Sequence, residues 1–311
     1  MKFININTIN SNLENNTIDF INQCEQHYID QLVNTANSIV ESLEDKPIVL
    51  ISGPSGSGKT TSALKLSKIL LDDFDCPSSV ISLDNYFKSN DSPDMPKNGD
   101  GSIDLESPLC IDMQTLQDNI YSISQGKSFD MPYFNFTNQV RGGYRPFKVN
   151  KGEIVIFEGI HALNPMVTGS TDNTTKIYVS VRTRLVNDDG AVLHPKCIRL
   201  MRRLMRDSLF RGRNYMDIFS YFNSVSVGEQ KYITPFKPLA NFDIDTFHSY
   251  EPSIYKRYLL NDLLSIQNDM KSNIEYNEIV SFLSEVIETT SDLVPNTSIV
   301  REFIGGSKFE Y

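Results

Sequence analysis

Cysteine is scarce in this chain. Cys24, Cys76, Cys110 and Cys197 are the four present in 311 residues, with no C-x-x-C pair and no histidine at metal-ligand spacing. Neither a disulfide framework nor a cysteine metal site is expected, and the thiols read as reduced and mostly buried. Net positive charge is also missing: 29 Lys and Arg against 39 Asp and Glu leave −10 at pH 7. A general nucleic-acid binder needs a basic footprint, so that class drops out. A small anionic ligand stays open, because only the local charge matters to it. No apolar run approaches the ~20 residues of a membrane span, and the polar, asparagine-rich first residues do not read as a signal peptide. The expected location is cytoplasmic. There is no internal repeat, and no N-K-x-D motif for reading guanine, which places a GTPase switch behind the other readings.

What is present is ordinary in bulk and specific in detail. With 40% hydrophobic and 22% charged residues, the chain suits one substantial α/β domain with extensions, or two small domains. Its central feature is Gly53-Pro54-Ser55-Gly56-Ser57-Gly58-Lys59-Thr60, a complete G-x-x-x-x-G-K-[ST] phosphate loop. The apolar run 48–51 precedes it and a helically spaced stretch, 61–70, follows, which is the strand–loop–helix setting the motif requires. Glycines let backbone N–H groups curl around a phosphate, and the helix N-terminus adds a favourable dipole. Lys59 reaches for the outer phosphates and the Thr60 hydroxyl for magnesium, with Thr61 next in line.

Along the chain, residues 1–16 read as a poorly ordered lead-in. Apolar spacing from Thr17 to Leu43 predicts one or two amphipathic helices that pack on the core or make a homo-oligomer contact. Buried strands are expected at 79–83, 154–157, 177–181 and 242–247, with an aromatic hairpin or lobe over 129–145 and two helices over 251–291. Apolar strands alternating with helices imply a parallel sheet covered on both faces, with ligands at the strands' carboxyl ends. Asp84 and Glu158 stand at such ends. Glu158 suits the second magnesium-organising acid of a phosphate-loop enzyme. Asp84 suits a base for an attacking hydroxyl, or a helix cap.

Between Lys196 and Arg213 seven cations face a single acid, Asp207. At helical spacing Arg199, Arg202, Arg203 and Arg206 share a face, opposite Ile198, Met201, Leu204, Met205 and Leu209. Acids at i±4 are nearly absent, so a polyanion is the expected partner. In 132–136, aromatic rings beside Asn135, Asn138 and Gln139 suit either a base-stacking surface or core packing.

Together the phosphate loop, 81–87, 132–136, 155–160 and the run from Arg202 to Arg213 resemble the P-loop nucleoside kinase family of uridine–cytidine kinases and phosphoribulokinases, in order and spacing, over roughly 46–250. Segments 158–165 and 228–229 look most like the bacterial-type uridine kinase-like proteins. The resemblance implies a P-loop α/β fold with a parallel sheet of about five strands, helices on both faces and an arginine-rich helical lid. It also implies ATP, Mg2+ and transfer of the γ-phosphate to the 5′-hydroxyl of a small-molecule pyrimidine nucleoside. Carried over, Asp84 is the general base. Lys59, Thr60 and Glu158 serve phosphate and magnesium, and Arg206, Arg211 and Arg213 are lid arginines over the phosphates. Arg203, Tyr86, Phe134, Phe136 and Gln139 fall on the acceptor side. That side departs from the family: Phe134-Asn135-Phe136 replaces Tyr-Asp-Phe, Gln139 replaces a histidine and Tyr221 a glutamine. Leu109 stands at the ribose-binding aspartate, with Asp104 or Glu106 as substitutes. The expected division is an extension over 1–45, a kinase domain over 46–250, and C-terminal helices and tail over 251–311. Uridine or cytidine phosphorylation leads. Another small hydroxyl acceptor, such as a sugar phosphate or pantothenate, and a nucleotide-binding regulator without turnover are the alternatives.

Overall fold

The computed structural model describes residues 2–169 and 172–310. The expectation of a poorly ordered lead-in over 1–16 is corrected at once. Phe3–Asn5 is a strand, β1, and Ile6–Glu41 a helix, α1, interrupted at Asn16, whose φ of −158° and ψ of 89° leave the helical region. Asn5 caps the helix by accepting from the Asn7 N–H at 2.7 Å. Ile6, Ile9 and Leu13 are buried along one face. The many asparagines hide this apolar stripe in any reading of composition.

The central sheet is assembled from segments spread over two hundred residues. Ile48–Ser52 (β2) runs through the phosphate loop into Lys59–Phe74 (α2), then Ser78–Ser82 (β3) and Met113–Ser124 (α3). Phe129–Asn135 (β4) and Val140–Phe147 (β5) form the expected hairpin, antiparallel and off the main sheet. Ile154–Glu158 (β6) leads through the short Pro165–Thr168 (α4) towards Thr174–Ser180 (β7). Arg184–Val186 (β8), which pairs in parallel with β1, and Val192–Leu193 (β9) precede two long helices, Pro195–Arg211 (α5) and Tyr215–Tyr232 (α6). Phe242–Asp245 (β10) completes the sheet. Glu251–Ser265 (α7), Gln267–Met270 (α8), Ile274–Glu285 (α9) and Arg301–Ile304 (α10) follow.

Five strands pair in the order β10-β7-β2-β6-β3, all parallel. Every residue of β2 and β6 is buried, as continuous apolar runs covered on both faces demand. Alternate side chains of one strand enter different cores. Val49 and Ile51 pack with α1, α2 and the C-terminal helices. Ile48 and Leu50 pack with α3 and the segment after β6. The expected α/β phosphate-loop fold is therefore present, and α1 and α7–α10 share its core. No described helix is long and apolar enough to cross a membrane.

The arginine helix corrects a second expectation. α5 is helical over the predicted stretch, but its arginines do not wait for a polyanion alone. Arg199 pairs with Glu229 at 2.8 Å, and Arg202, fully buried, holds Glu251 through Nε at 2.8 Å and Nη2 at 2.9 Å. These acids lie 30 and 49 residues away in sequence, beyond any i±4 reading of the helix. Leu209, on the apolar face opposite the arginines, is 48% exposed. Arg202 also donates to the Gly56 carbonyl at 3.1 Å and to the Thr246 carbonyl at 2.7 Å. Replacing it leaves the Glu251 carboxylate buried without its cation, a change that costs about 3–5 kcal/mol. Arg202→Met is therefore expected to lower the unfolding free energy from urea titration by that amount, whereas Arg182→Met, at a half-exposed pair, should change it by less than ~1 kcal/mol.

Candidate active site

The carboxyl ends of β2, β3 and β6 open onto a cleft of about 670 Å³. Its floor is the phosphate loop, whose shape depends on close approach. A Cβ on Gly58, at φ +82°, would stand 2.1 Å from Ile299 Cδ1, and one on Gly53 would stand 1.9 Å from the Val179 carbonyl oxygen. Three successive loop carbonyls are tied down from outside. Arg199 donates to Ser55, Arg202 to Gly56, and the Thr246 hydroxyl to Ser57 at 2.7 Å. The loop is thus held in shape before any ligand arrives. Pro54 lies outside the cleft lining, but its carbonyl accepts from Lys59 Nζ at 3.2 Å.

Thr60, Asp84 and Glu158 meet in this cleft with Lys59, as their strand-end positions predict. Asp84 follows β3 in a short 3-10 turn capped by the Ser82 hydroxyl at 3.3 Å. Burial pushes its carboxyl pKa up, while Lys59 and Arg211 pull it back. Glu158 is pushed up to about 7 by burial and by Asp84, against the pull of Lys59 and a hydrogen bond from Ser82. Burial drives the Lys59 pKa down, against the pull of Glu158, Asp84 and Glu302. Among the described residues no carboxylate reaches ion-pair distance of the Lys59 ammonium. A cation with no carboxylate at ion-pair distance, beside a Glu158 whose pKa Asp84 raises, fits an anionic phosphate chain with its divalent cation. The described residues contain no group of three His, Cys, Asp or Glu side chains that could hold a metal ion.

Arg203, Arg206 and Arg211 of α5 close the other side of the cleft. Asp207, fully buried, is shared by four arginines: Arg203 at 3.4 Å, Arg206 and Arg211 at 3.2 Å, and Arg213 at 3.9 Å. One carboxylate cannot neutralise four guanidinium groups, so a surplus of positive charge faces the cleft. Arg203 also donates to the Ser55 hydroxyl at 2.7 Å, and its Nε is buried without a partner. The Tyr221 ring lies under both Arg203 and Arg213, whose guanidinium carbons are 5.6 and 5.7 Å from its centroid. Arg211 and Arg213 are half-exposed.

The acceptor-side residues divide. Phe136 lines the cleft and is 60% exposed, with Phe134 edge-on to it at 5.1 Å. Glu106 is half-buried near Arg203 and Lys59, and desolvation outweighs both cations to push its pKa up to about 7. Asp104 instead accepts from the Tyr232 hydroxyl at 3.2 Å. Tyr86 is fully buried, its hydroxyl bonded by Asn119 at 3.0 Å, so it belongs to the core rather than the cleft lining. Gln139 turns the hairpin at φ +55° and accepts from Asn90, outside the cleft.

The sequence model of the phosphoribulokinase / uridine kinase family matches residues 48–249. The chain belongs to this family. Uridine kinase of Lactobacillus johnsonii is 28% identical over 198 residues, which are 63% of this chain and 85% of that protein. Inorganic pyrophosphatase TTM2 of Arabidopsis thaliana is 36% identical over 140 residues, 45% of this chain. That match spans only 19% of the TTM2 length. A structure described as a possible uridine kinase from Bacillus stearothermophilus covers 68% of this chain and 98% of its own, at 14% identity and a TM-score of 0.44.

Two features of this family member's cleft escape sequence reasoning. Ser82 lines the cleft and helps hold the Glu158 pKa down, and a small hydroxyl residue at a strand end gives no signal. Glu302 comes from α10, beyond the family segment. It accepts from the Thr61 hydroxyl at 2.5 Å, approaches Arg206 to 4.0 Å and lines the cleft. No motif marks it. A carboxylate there opposes an incoming phosphate chain, so Glu302→Gln, which can still accept from Thr61, should tighten ATP binding several-fold by equilibrium titration.

Glu158 yields a second expectation, with a definite sign. Its folded pKa of about 7 lies above the usual carboxylate value of 4.5. Between these values the native state keeps a proton that the unfolded chain has lost, so stability falls as pH rises through the window. Glu158→Gln should therefore be more stable than the parent at pH 8, by about 1–3 kcal/mol, and nearly equal at pH 4. Urea unfolding at the two pH values measures this.

Proposed function

We propose that the protein transfers the γ-phosphoryl group of ATP to the 5′-hydroxyl of uridine or cytidine, giving the monophosphate and ADP. The observation that carries the reading is the convergence of Asp84, Lys59 and the buried Glu158 at the foot of a cleft walled by surplus arginine charge. Family membership supports the kinase chemistry, and relatives named uridine kinase support the acceptor. Residues 46–250 form the catalytic domain in this reading, with 1–45 and 251–311 as extensions packed on it.

Lys59 and the loop N–H groups hold the β- and γ-phosphates. Thr60 and Glu158 are the protein groups that would hold Mg2+, which would supply charge neutralisation to the transferring phosphate. Few protein ligands suffice for that ion, which keeps waters and takes phosphate oxygens. Asp84 accepts the acceptor's hydroxyl proton as the new O–P bond forms and the bond to the ADP oxygen breaks. Its partly raised pKa makes it a better base than a solvated aspartate. Arg206 and Arg211 stabilise the charge that develops in transfer, with Arg213 behind them, and the arginine wall keeps water from competing with the acceptor. Phe136 and Phe134 position the base. Glu106, rather than Asp104, takes the ribose hydroxyls in place of the aspartate lost at Leu109, since Glu106 is the acid facing Arg203 and Lys59.

An ATP-consumption assay across uridine, cytidine, sugar phosphates and pantothenate tests the acceptor. Turnover with the pyrimidine nucleosides at least tenfold above the rest is expected, and turnover confined to another acceptor overturns the choice. Asp84→Asn should lose about 10²–10⁴-fold in kcat while binding ATP normally. Near-normal turnover in that variant would sink the assigned base.

A further inference from the structure

A second cavity, of about 750 Å³, lies on the far side of the phosphate loop, at the amino end of α5 and the carboxyl ends of β7 and β10. It shares no residue with the cleft of the active site. Its walls are basic: Lys2, Arg182, Arg184, Lys196, Arg199 and Lys237 stand against Glu229, Asp243 and Asp245. All three acids are already engaged. Glu229 holds Arg199 at 2.8 Å, and Asp243 holds Arg182 at 3.1 Å and Lys237 at 4.0 Å. Asp245 accepts from the backbone N–H groups of Arg182 at 2.9 Å and Thr183 at 3.1 Å. Lys196 turns to Glu275 at 2.7 Å.

Lys2 and Arg184 are left without a carboxylate partner among the described residues. Two buried polar atoms there have no partner at all. The Arg184 Nε is one. The other is the hydroxyl of Ser180, the last residue of β7, which is 7% exposed and lines the cavity. A buried hydroxyl without a partner is uncommon enough to need a reason, and here it sits between unpaired cations and a helix N-terminus. His194 senses the same field: burial, Arg184, Lys196 and Arg199 together hold its pKa below the usual range.

We propose that this cavity binds a phosphate-bearing small molecule, with Arg184 and Lys2 as its cationic ligands and the Ser180 hydroxyl as donor. Arginine offers a planar fork for phosphate oxygens, and the N-terminus of a long helix favours the same charge. The site is coupled to the phosphate loop through two residues on its wall. Pro54 lines the cavity while its carbonyl holds Lys59 Nζ, and Arg199 lines it while donating to the Ser55 carbonyl. A ligand that draws Arg199 away from Ser55, or shifts Pro54, changes how the loop presents Lys59. The occupant is therefore an effector of nucleotide binding. This holds whichever acceptor the kinase uses.

The test is calorimetric titration of the full chain with inorganic phosphate, ribose 5-phosphate and ATP as three probes. It uses the parent and the variants Lys59→Ala, Arg184→Gln and Lys2→Gln. Lys59→Ala disables the catalytic loop and should still bind at least one probe at sub-millimolar concentration, the strongest probe identifying the ligand as free phosphate, monoester or polyphosphate. Adding Arg184→Gln to it should weaken that binding at least tenfold, and adding Lys2→Gln about threefold. Arg184→Gln alone should retain ATP turnover while losing any effect of the strongest probe on the KM for ATP. Should Arg184→Gln prove unfolded by circular dichroism, Lys2→Gln decides. The proposal is overturned if Lys59→Ala binds none of the three probes at sub-millimolar concentration. It is equally overturned if neither cation variant changes the affinity.

Discussion

The interaction on which the rest of the structure depends is the fully buried pair of Arg202 and Glu251. A guanidinium and a carboxylate taken out of water cost several kcal/mol each unless their remaining donors and acceptors are filled. Here they are filled by the active site itself. Arg202 donates to the Gly56 carbonyl and to Thr246, whose hydroxyl donates in turn to the Ser57 carbonyl. Glu251 also accepts from the Tyr255 hydroxyl and the His248 N–H. The Arg202 guanidinium rests 5.1 Å from the centroid of the Phe303 ring. Phosphate loop, lid helix, the turn after β10 and the C-terminal segment are thereby fixed around one charge pair. Such a pair adds little net stability over an apolar replacement, but it fixes geometry, and geometry is what a phosphate loop requires.

The cleft above that pair is built on the opposite principle, incomplete pairing. Lys59 has no carboxylate at ion-pair distance among the described residues, Asp84 raises the Glu158 pKa, and Asp207 is divided among four arginines. Each is unfavourable by itself, and in the proposed function each would be relieved by a polyphosphate and its cation. The free energy withheld in folding becomes binding energy. Glu302 limits this gain by placing a carboxylate at the N-terminal end of α2, where a phosphate is otherwise favoured. It is the one acid in the cleft that comes from outside the family segment.

Legibility in the sequence followed the range of the interactions. The phosphate loop, Asp84 and Glu158 were readable because strand, loop and functional side chain are contiguous, and parallel strands buried on both faces are apolar throughout. The hairpin at 129–147 and the helix at 195–211 were readable from turn residues and periodicity. Arg199 and Arg202 were not, since their acids lie on α6 and at the start of α7, and only the tertiary fold brings them together. The stretch 1–16 was misread because asparagine content outweighed three buried side chains at helical spacing. Glu302 carries no motif and acts through a fold-wide contact. Tyr86, singled out by the family pattern, lies within the core, where its hydroxyl is held by Asn119.

α5 links these observations. Its 17 residues span about 25 Å, from the basic cavity at its amino end to the lid arginines at its carboxyl end. The phosphate loop lies across the middle, gripped by Arg199 and, one turn on, by Arg202 and Arg203. Because those three bonds engage Ser55 and Gly56 together, the helix cannot shift along its axis without altering the loop. A rod with anion-attracting groups at both ends and a nucleotide loop tied to its centre couples the two ends mechanically, since neither can be displaced alone. The buried Arg202 pair is the pivot of that rod, so the same contact that secures the fold also joins the two cavities.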